Sequence, residues 1–336
     1  MKMNRPSLSA NQPIADFKPA SLKGPVRRLE LHLIYECVNE CVFCNERDHM
    51  REFARHPATM PEVREMLRKK RDEGYEHVTF TGGEPTLFPK LWQAIELAKE
   101  LGYRTFLISN GSALSISDFA DRALPHIDEL CLSIHGHDDA THTSLTQAPK
   151  SFERMCRTLE LIGAHPKNHF LMVNHVVNRV NLPHLETFLE WVTSYPKVRH
   201  VLFSQLAPMG GAKDNYPEMA PKHSEIVERL PALNNIAKPK GVAVMVYGIP
   251  ICQFGEHWEN ANDLYFSPRL TIARKWNKDG TAGWFEEQGH RPTLSRFFPP
   301  VCTGCAVKGR CGGIYKQYWD QIEKPPSKHF NAEAAV

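Results

Sequence analysis

A chain of 336 residues with 42% hydrophobic side chains is long enough for one large α/β domain plus a smaller one, and apolar enough to bury a core. Its 41 Lys and Arg against 38 Asp and Glu leave a formal charge of +3 without long single-sign runs, so nothing calls for nucleic acid or an anionic membrane as partner. No apolar stretch approaches the roughly 20 residues needed to cross a bilayer, and the first thirty residues lack a signal-peptide pattern, so the expectation is a cytoplasmic protein.

Residues 1–27 are rich in Pro, Ser and Lys without periodicity and read as a flexible extension. From Arg28 short β-branched runs alternate with stretches of helical period. The runs are "RLELHLIY", "HVTFTG" (77–82), "RTFLISN" (104–110), "ELCLSIH" (129–135), "HFLMVNHVV" (169–177) and "VRHVLFSQL" (198–206). Amphipathic segments such as "PEVREMLRKKRDEG" and "KLWQAIELAKELG" lie between them. Parallel strands need crossovers, nearly always right-handed, so six such units form either an open doubly wound sheet or an incomplete barrel. In both, ligands gather at the C-terminal ends of the strands. After Gly241 the rhythm stops, and Pro, Trp, Gly and Cys dominate residues 249–318, which read as a small second domain, with a disordered tail over 324–336.

Nine cysteines in a reducing compartment point to metal or redox chemistry rather than disulfides. Cys37, Cys41 and Cys44 fall within eight positions directly after the first strand. Soft thiolates so spaced can wrap one corner of an iron–sulfur cubane and leave one iron open, although a zinc site with a distant fourth ligand uses the same residues. "TGGEPTL" (81–87) ends the second strand, where two glycines permit close backbone approach and Glu84 offers a carboxylate to a cation.

Cys37-x3-Cys41-x2-Cys44 followed by Gly82-Gly83-Glu84-Pro85 resembles the radical S-adenosylmethionine (radical SAM) superfamily. The resemblance implies a partial (β/α)6 TIM-like barrel over 28–240, a [4Fe–4S] cluster on the three cysteines, and SAM chelated at the open iron. It implies that Gly82, Gly83 and Glu84 line the methionine amino group and that Phe43 sits against the adenine. Ser109 and Asn110 in "ISNG", Ser133 in "LSIHG" and "APMGG" (207–211) resemble later SAM contacts, while some relatives carry Lys where Met172 stands. The implied chemistry is reductive cleavage of SAM to a 5′-deoxyadenosyl radical that takes hydrogen from a substrate, with flavodoxin or ferredoxin as reductant.

Near the C-terminus Cys302, Cys305 and Cys311 suit zinc or a second cluster, with Cys252 as fourth candidate. Cys311-Gly312-Gly313 and Tyr315 resemble a Twitch- or SPASM-like auxiliary [4Fe–4S] domain, here 241–323. Cys131 and Cys156 read as core residues. The "HGHDDATH" stretch, with His135, His137, Asp138 and His142, invites a metallohydrolase reading, or one in which His135 or His142 lines a pocket. The substrate is expected to be a peptide, with a cofactor precursor or other small molecule as alternative. A zinc or Fe–S binding protein without turnover is the alternative from another class.

Overall fold

The computed structural model describes residues 26–265, 268–289 and 295–324. The expected extension over 1–27 and tail over 324–336 lie, apart from their innermost residues, outside these. All six sequence-read strands form: β1 (Arg28–Ile34), β2 (His77–Gly82), β3 (Arg104–Ser109), β4 (Glu129–Ser133), β5 (Phe170–Val177) and β6 (Val198–Gln205). The rhythm continues one strand past Gly241, with β7 (Ala243–Tyr247) parallel to β6. At the opposite edge β8 (Arg269–Trp276) pairs parallel with β1, and β9 (Ala282–Gln288) turns back antiparallel on β8. The sheet order is β7-β6-β5-β4-β3-β2-β1-β8-β9, a mostly parallel, partial TIM-like barrel.

Alternate residues point to opposite faces of each strand, and one face supplies the core. Leu29, Leu31, Val78, Phe80, Leu107 and Val173 share a core with α2 (Met60–Asp72), α3 (Leu91–Glu100), α4 (Ser117–Ala123), α6 (Ser151–Ala164) and α7 (Leu185–Val192), while α1 (Arg47–Phe53) and α5 (Asp139–Thr146) lie outside that cluster. On the other face the register aligns Glu30 with Thr79, Phe106 with Glu129, and Met172 with His200. This inner face stays half-open at Phe106, Met172, Asn174, Leu202 and Met245.

Charged pairs lie at the N-terminal end of this concave face. Glu30 pairs with Arg269 at 2.9 Å, and Glu129 pairs with Arg104 and with His77 at 3.4 Å. Burial pushes the Glu30 carboxyl up, yet Arg269 and His32 outweigh it and bring it to about 2.

The β8–β9 hairpin is locked to α2 through Glu62. Thr59 and Glu62 form a capping box, and the same carboxylate accepts from Arg274 Nη1 at 2.9 Å and Trp284 Nε1 at 2.9 Å. Burial raises the Glu62 carboxyl, but the hydrogen bonds from Arg274, Trp284 and Thr59 outweigh it and hold it at about 2. An unfolded Glu titrates near about 4.3, so the ionised group stabilises the fold above that pH, and the contribution is lost as pH falls through about 2. Urea midpoints are expected to drop between about pH 4.3 and about pH 2, and to drop less steeply in Glu62→Gln. Identical slopes in the two proteins would show that this latch contributes nothing.

Candidate active site

The loop between β1 and α1 carries Cys37, Cys41 and Cys44, and its backbone is held by neighbours as well as by its own turns. Glu40 and Val42 donate to the carbonyls of Thr146 and Leu145 at 2.9 and 3.0 Å, and Arg47 Nη2 donates to the Cys41 carbonyl at 2.8 Å. Gly211 donates to the Cys44 carbonyl at 2.8 Å. The Gly-Gly of "APMGG" thus serves the cysteine loop directly. A Cβ on Gly210, which has φ +51°, would sit 2.2 Å from the Cys44 oxygen, and one on Gly211 would sit 2.5 Å from the Val42 oxygen.

The first glycine pair has a similar role. A Cβ on Gly82 or Gly83 would lie 2.3 Å from the Ile34 oxygen or 2.2 Å from the Glu36 oxygen. Both positions let the end of β2 press against the chain leading into the cysteines. Gly83 and Glu84 donate their amides to Ile34 and Glu36 at 2.8 Å each.

Glu84 is 1% exposed, and its carboxylate is already engaged. It accepts from Thr86 Oγ1 at 2.6 Å, Thr86 N at 3.1 Å, Ser109 Oγ at 2.7 Å and Asn110 N at 2.7 Å. Burial pushes this carboxyl above its usual range against the downward pull of those four donors. Here the structure departs from the sequence reading that offered this carboxylate to a cation: Glu84 ties the end of β2 to the end of β3. Pro85, also buried, opens the single 3-10 turn that follows. Asn110, so positioned, reaches back with Nδ2 to Cys37 Sγ at 3.4 Å, and Asn39 N donates to the same sulfur at 3.4 Å.

Phe43 is 7% exposed and packs edge-on to His135 with ring centroids 4.7 Å apart, inside a second core cluster with Leu145, Leu206 and Tyr216. Ser133 lies half-buried on the inner face, beside Asn174, whose Oδ1 accepts from Ser204 Oγ at 2.7 Å. Together they form a polar rim at the C-terminal ends of β4, β5 and β6.

Burial pushes the Cys37 thiol up to about 11 and the Cys41 thiol up to about 12, and raises Cys44. Such sulfurs become good ligands when a cation takes over from the proton. Among the described residues, the single group of three or more His, Cys, Asp or Glu with ligand atoms within 4.8 Å of one another contains no cysteine. Tetrahedral zinc, with Zn–S near 2.3 Å, would draw its sulfurs to about 3.8 Å apart. At least one pair of the three sulfurs lies more than 4.8 Å apart, wider than tetrahedral zinc would hold them.

Residues 31–192 match the family described as the radical SAM superfamily. A radical SAM domain therefore occupies this part of the chain. It is 28% identical over 262 residues to an S-adenosylmethionine-dependent nucleotide dehydratase of Lacinutrix mariniflava (strain JCM 13824 / KCCM 42306 / AKS432), covering 71% of this chain and 53% of that protein. A dehydratase of the same description from Flammeovirga pacifica is 27% identical over 192 residues, covering 56% of this chain and 65% of the relative. The chain therefore spans between half and two thirds of these relatives. Among solved structures, Streptococcus suis SuiB bound to S-adenosylmethionine is similar at TM-score 0.54 and 15% identity, over 74% of this chain and 58% of SuiB. The [FeFe]-hydrogenase maturase HydG from Carboxydothermus hydrogenoformans follows at TM-score 0.52 and 14% identity, over 74% and 59% of the two chains. These two likenesses speak to the fold.

A radical SAM domain brings a [4Fe–4S] cluster and SAM as cofactors, and the donor set of the cysteine loop suits that cluster. The second cysteine group also converges. Cys252, Cys302, Cys305 and Cys311 line one apolar pocket together with Phe298, Val307 and Trp319. Burial, reinforced by the neighbouring Cys311, Cys305 and Cys302, pushes the Cys252 thiol up to about 12. The Cys-Gly-Gly stretch has a local cause. Gly312 donates to Asp263 Oδ2 at 2.6 Å, where a Cβ would lie 2.5 Å from that oxygen and from Arg296 Nη1. Arg296 in turn lies over the rings of Tyr247, on β7, and Tyr315.

The "HGHDDATH" residues are structural. His135 and His142 are 3% and 1% exposed, so neither lines an open pocket. The Nδ1 of His142 accepts from His135 N, and that of His135 from Val176 N, each at 3.2 Å. Burial drives the His135 pKa well down and that of His142 to about 4, so both imidazoles stay neutral. Asp138 caps α5 by accepting from Thr141 N at 2.7 Å. Cys131 is 2% exposed as a core residue, while Cys156 on α6 is half-buried. Sequence reasoning missed His32, Glu46 and His49, which carry the close ligand group. Their signal was available in the Glu-x-x-His spacing just beyond Cys44.

Proposed function

We propose that Cys37, Cys41 and Cys44 hold the [4Fe–4S] cluster, and that the chain takes hydrogen from a small molecule of the nucleotide class on the inner face of the barrel. The carrying observation is the arrangement of that face. The cysteine loop and the Ser133, Asn174 and Ser204 rim stand at the strand C-termini, and the Glu30–Arg269 and Glu129–Arg104 ion pairs lie at the far end. Short polar groups beside the cysteine loop suit a compact, hydroxylated substrate. The description of the two relatives as nucleotide dehydratases supports the same class.

A reduced cluster held by Cys37, Cys41 and Cys44 would supply the one electron that cleavage of SAM to methionine and a 5′-deoxyadenosyl radical requires. The chain's own residues supply orientation. Asn110 and Asn39 donate to the Cys37 sulfur, which favours the thiolate and tunes a bound cluster. Glu84 and Ser109 fix Asn110. The Ser133, Asn174 and Ser204 rim supplies short polar groups to a hydroxylated ligand.

Cys252, Cys302, Cys305 and Cys311 are proposed to close a second [4Fe–4S] cluster, with structural or electron-relay duty, in a Twitch- or SPASM-like segment over 241–323. The test of substrate class is 5′-deoxyadenosine release from anaerobically reconstituted protein with a chemical reductant and SAM. Nucleotides, tried as mono-, di- and triphosphates, are expected to include one that raises the rate at least about tenfold over the substrate-free background. Stimulation by peptides and not by any nucleotide would overturn the assignment.

A further inference from the structure

His32, Glu46 and His49 form a group without cysteine, with Glu46 two residues past Cys44, and their ligand atoms all lie within 4.8 Å of one another. We propose that they form a third metal site, a two-histidine, one-carboxylate set for a single divalent transition-metal ion.

The ring nitrogens face oxygen on both sides. His49 places Nε2 2.8 Å from the Arg274 carbonyl, which can only accept, so that nitrogen carries hydrogen. Its Nδ1 faces Glu46 Oε2 at 3.5 Å, where a cation would take the place of a proton. His32, which is 8% exposed, turns Nδ1 toward the same oxygen at 3.8 Å, and this buried nitrogen has no hydrogen-bond partner. Its Nε2 faces Glu30 Oε1 at 3.7 Å. Two imidazole nitrogens thus face one carboxylate oxygen, and the far nitrogen of His49 is oriented by the Arg274 carbonyl. That pairing of inner ligand and outer acceptor is the usual support of metal-bound histidine.

The spacing agrees with a shared cation. Ligand distances of about 2.0–2.2 Å place neighbouring donor atoms about 3.0–3.5 Å apart. The two separations from Glu46 Oε2, 3.5 and 3.8 Å, lie at that range or a few tenths of an ångström beyond it. At 3.8 Å the buried His32 Nδ1 is too far for a hydrogen bond to Glu46, which leaves that nitrogen for a shared cation. Two imidazoles and one carboxylate suit Mn(II), Fe(II) or Zn(II) and leave coordination positions open. Glu46 and His49 keep 31% and 25% of their side chains exposed, so an ion can enter.

The test uses Mn(II), which favours nitrogen and oxygen ligands over thiolates and so does not compete for the cysteines. Mn(II) is titrated into the fully reconstituted protein under argon, and free ion is read from its six-line electron paramagnetic resonance signal. One ion per chain is expected, with affinity lowered at least about tenfold in His49→Ala and in Glu46→Gln. Iron and sulfide are measured on the same samples. If His49→Ala loses iron as well, Glu46→Gln, which keeps the side-chain volume, decides. Wild-type protein that leaves Mn(II) free up to about 1 mM, or equal binding in wild type and Glu46→Gln, overturns the proposal.

Discussion

Replacing Cys41 with alanine is expected to reduce 5′-deoxyadenosine release to the level seen without protein, and to lower iron from about eight to about four per chain. The loop does not need the thiol to keep its shape. Its backbone is held by Thr146, Leu145, Gly211 and Arg47, all bonded to main-chain atoms. What disappears is a ligand, and a cubane on two protein thiolates is poorly held. The counterpart is Cys305→Ala, where iron is again expected to halve but SAM cleavage in the absence of substrate persists, because the catalytic loop is untouched. Cleavage that survives in Cys41→Ala would remove the three-cysteine loop from the chemistry. Iron that stays near four in the wild type would instead make the second group a zinc or vacant thiol site.

The six strands from β1 to β6 could be read from sequence because each is a short β-branched run bounded by turn residues, and successive strands are neighbours. β7 was not counted with the barrel because "AVMVY" runs straight into a segment dense in Pro, Trp and Gly, whose composition masks its place in the sheet. The β8–β9 hairpin carries Arg, Lys and Glu, and β8 pairs with β1 some 240 positions earlier. No local period can report a partner that far away.

The candidate site divides along the same line. Thiols advertise themselves by spacing, so Cys37, Cys41 and Cys44 stood out in the sequence. Glycines advertise only that something lies close. At Gly82, Gly83, Gly210 and Gly211 that neighbour is the backbone around the cysteine loop, a contact between segments up to 170 residues apart. Four glycines chosen for a ligand in the sequence reading thus act first on the frame that holds the ligand's anchor. His32 went unnoticed because a lone histidine on a strand says little until Glu46 and His49 are folded against it.

Glu84→Ala is expected to lower unfolding free energy by about 3–5 kcal/mol and to cut SAM cleavage together with it. The carboxylate is buried and takes four donors from three residues, Thr86, Ser109 and Asn110. Truncation leaves those donors facing a cavity, and an unsatisfied buried donor costs about 1–3 kcal/mol, partly recovered where water enters. Glu84→Gln separates the two consequences. Its amide keeps one accepting oxygen but turns an NH2 toward groups that also donate, so Ser109 and Asn110 must shift. Asn110 then loses its aim at the Cys37 sulfur, 3.4 Å away in the native protein. For Glu84→Gln a smaller loss of about 1–2 kcal/mol is expected in urea titration, with a larger proportional fall in 5′-deoxyadenosine release and a shifted reduction potential for the SAM-binding cluster. A Gln variant of native stability and potential would mean that the Glu84 carboxylate neither organises the strand ends nor positions Asn110.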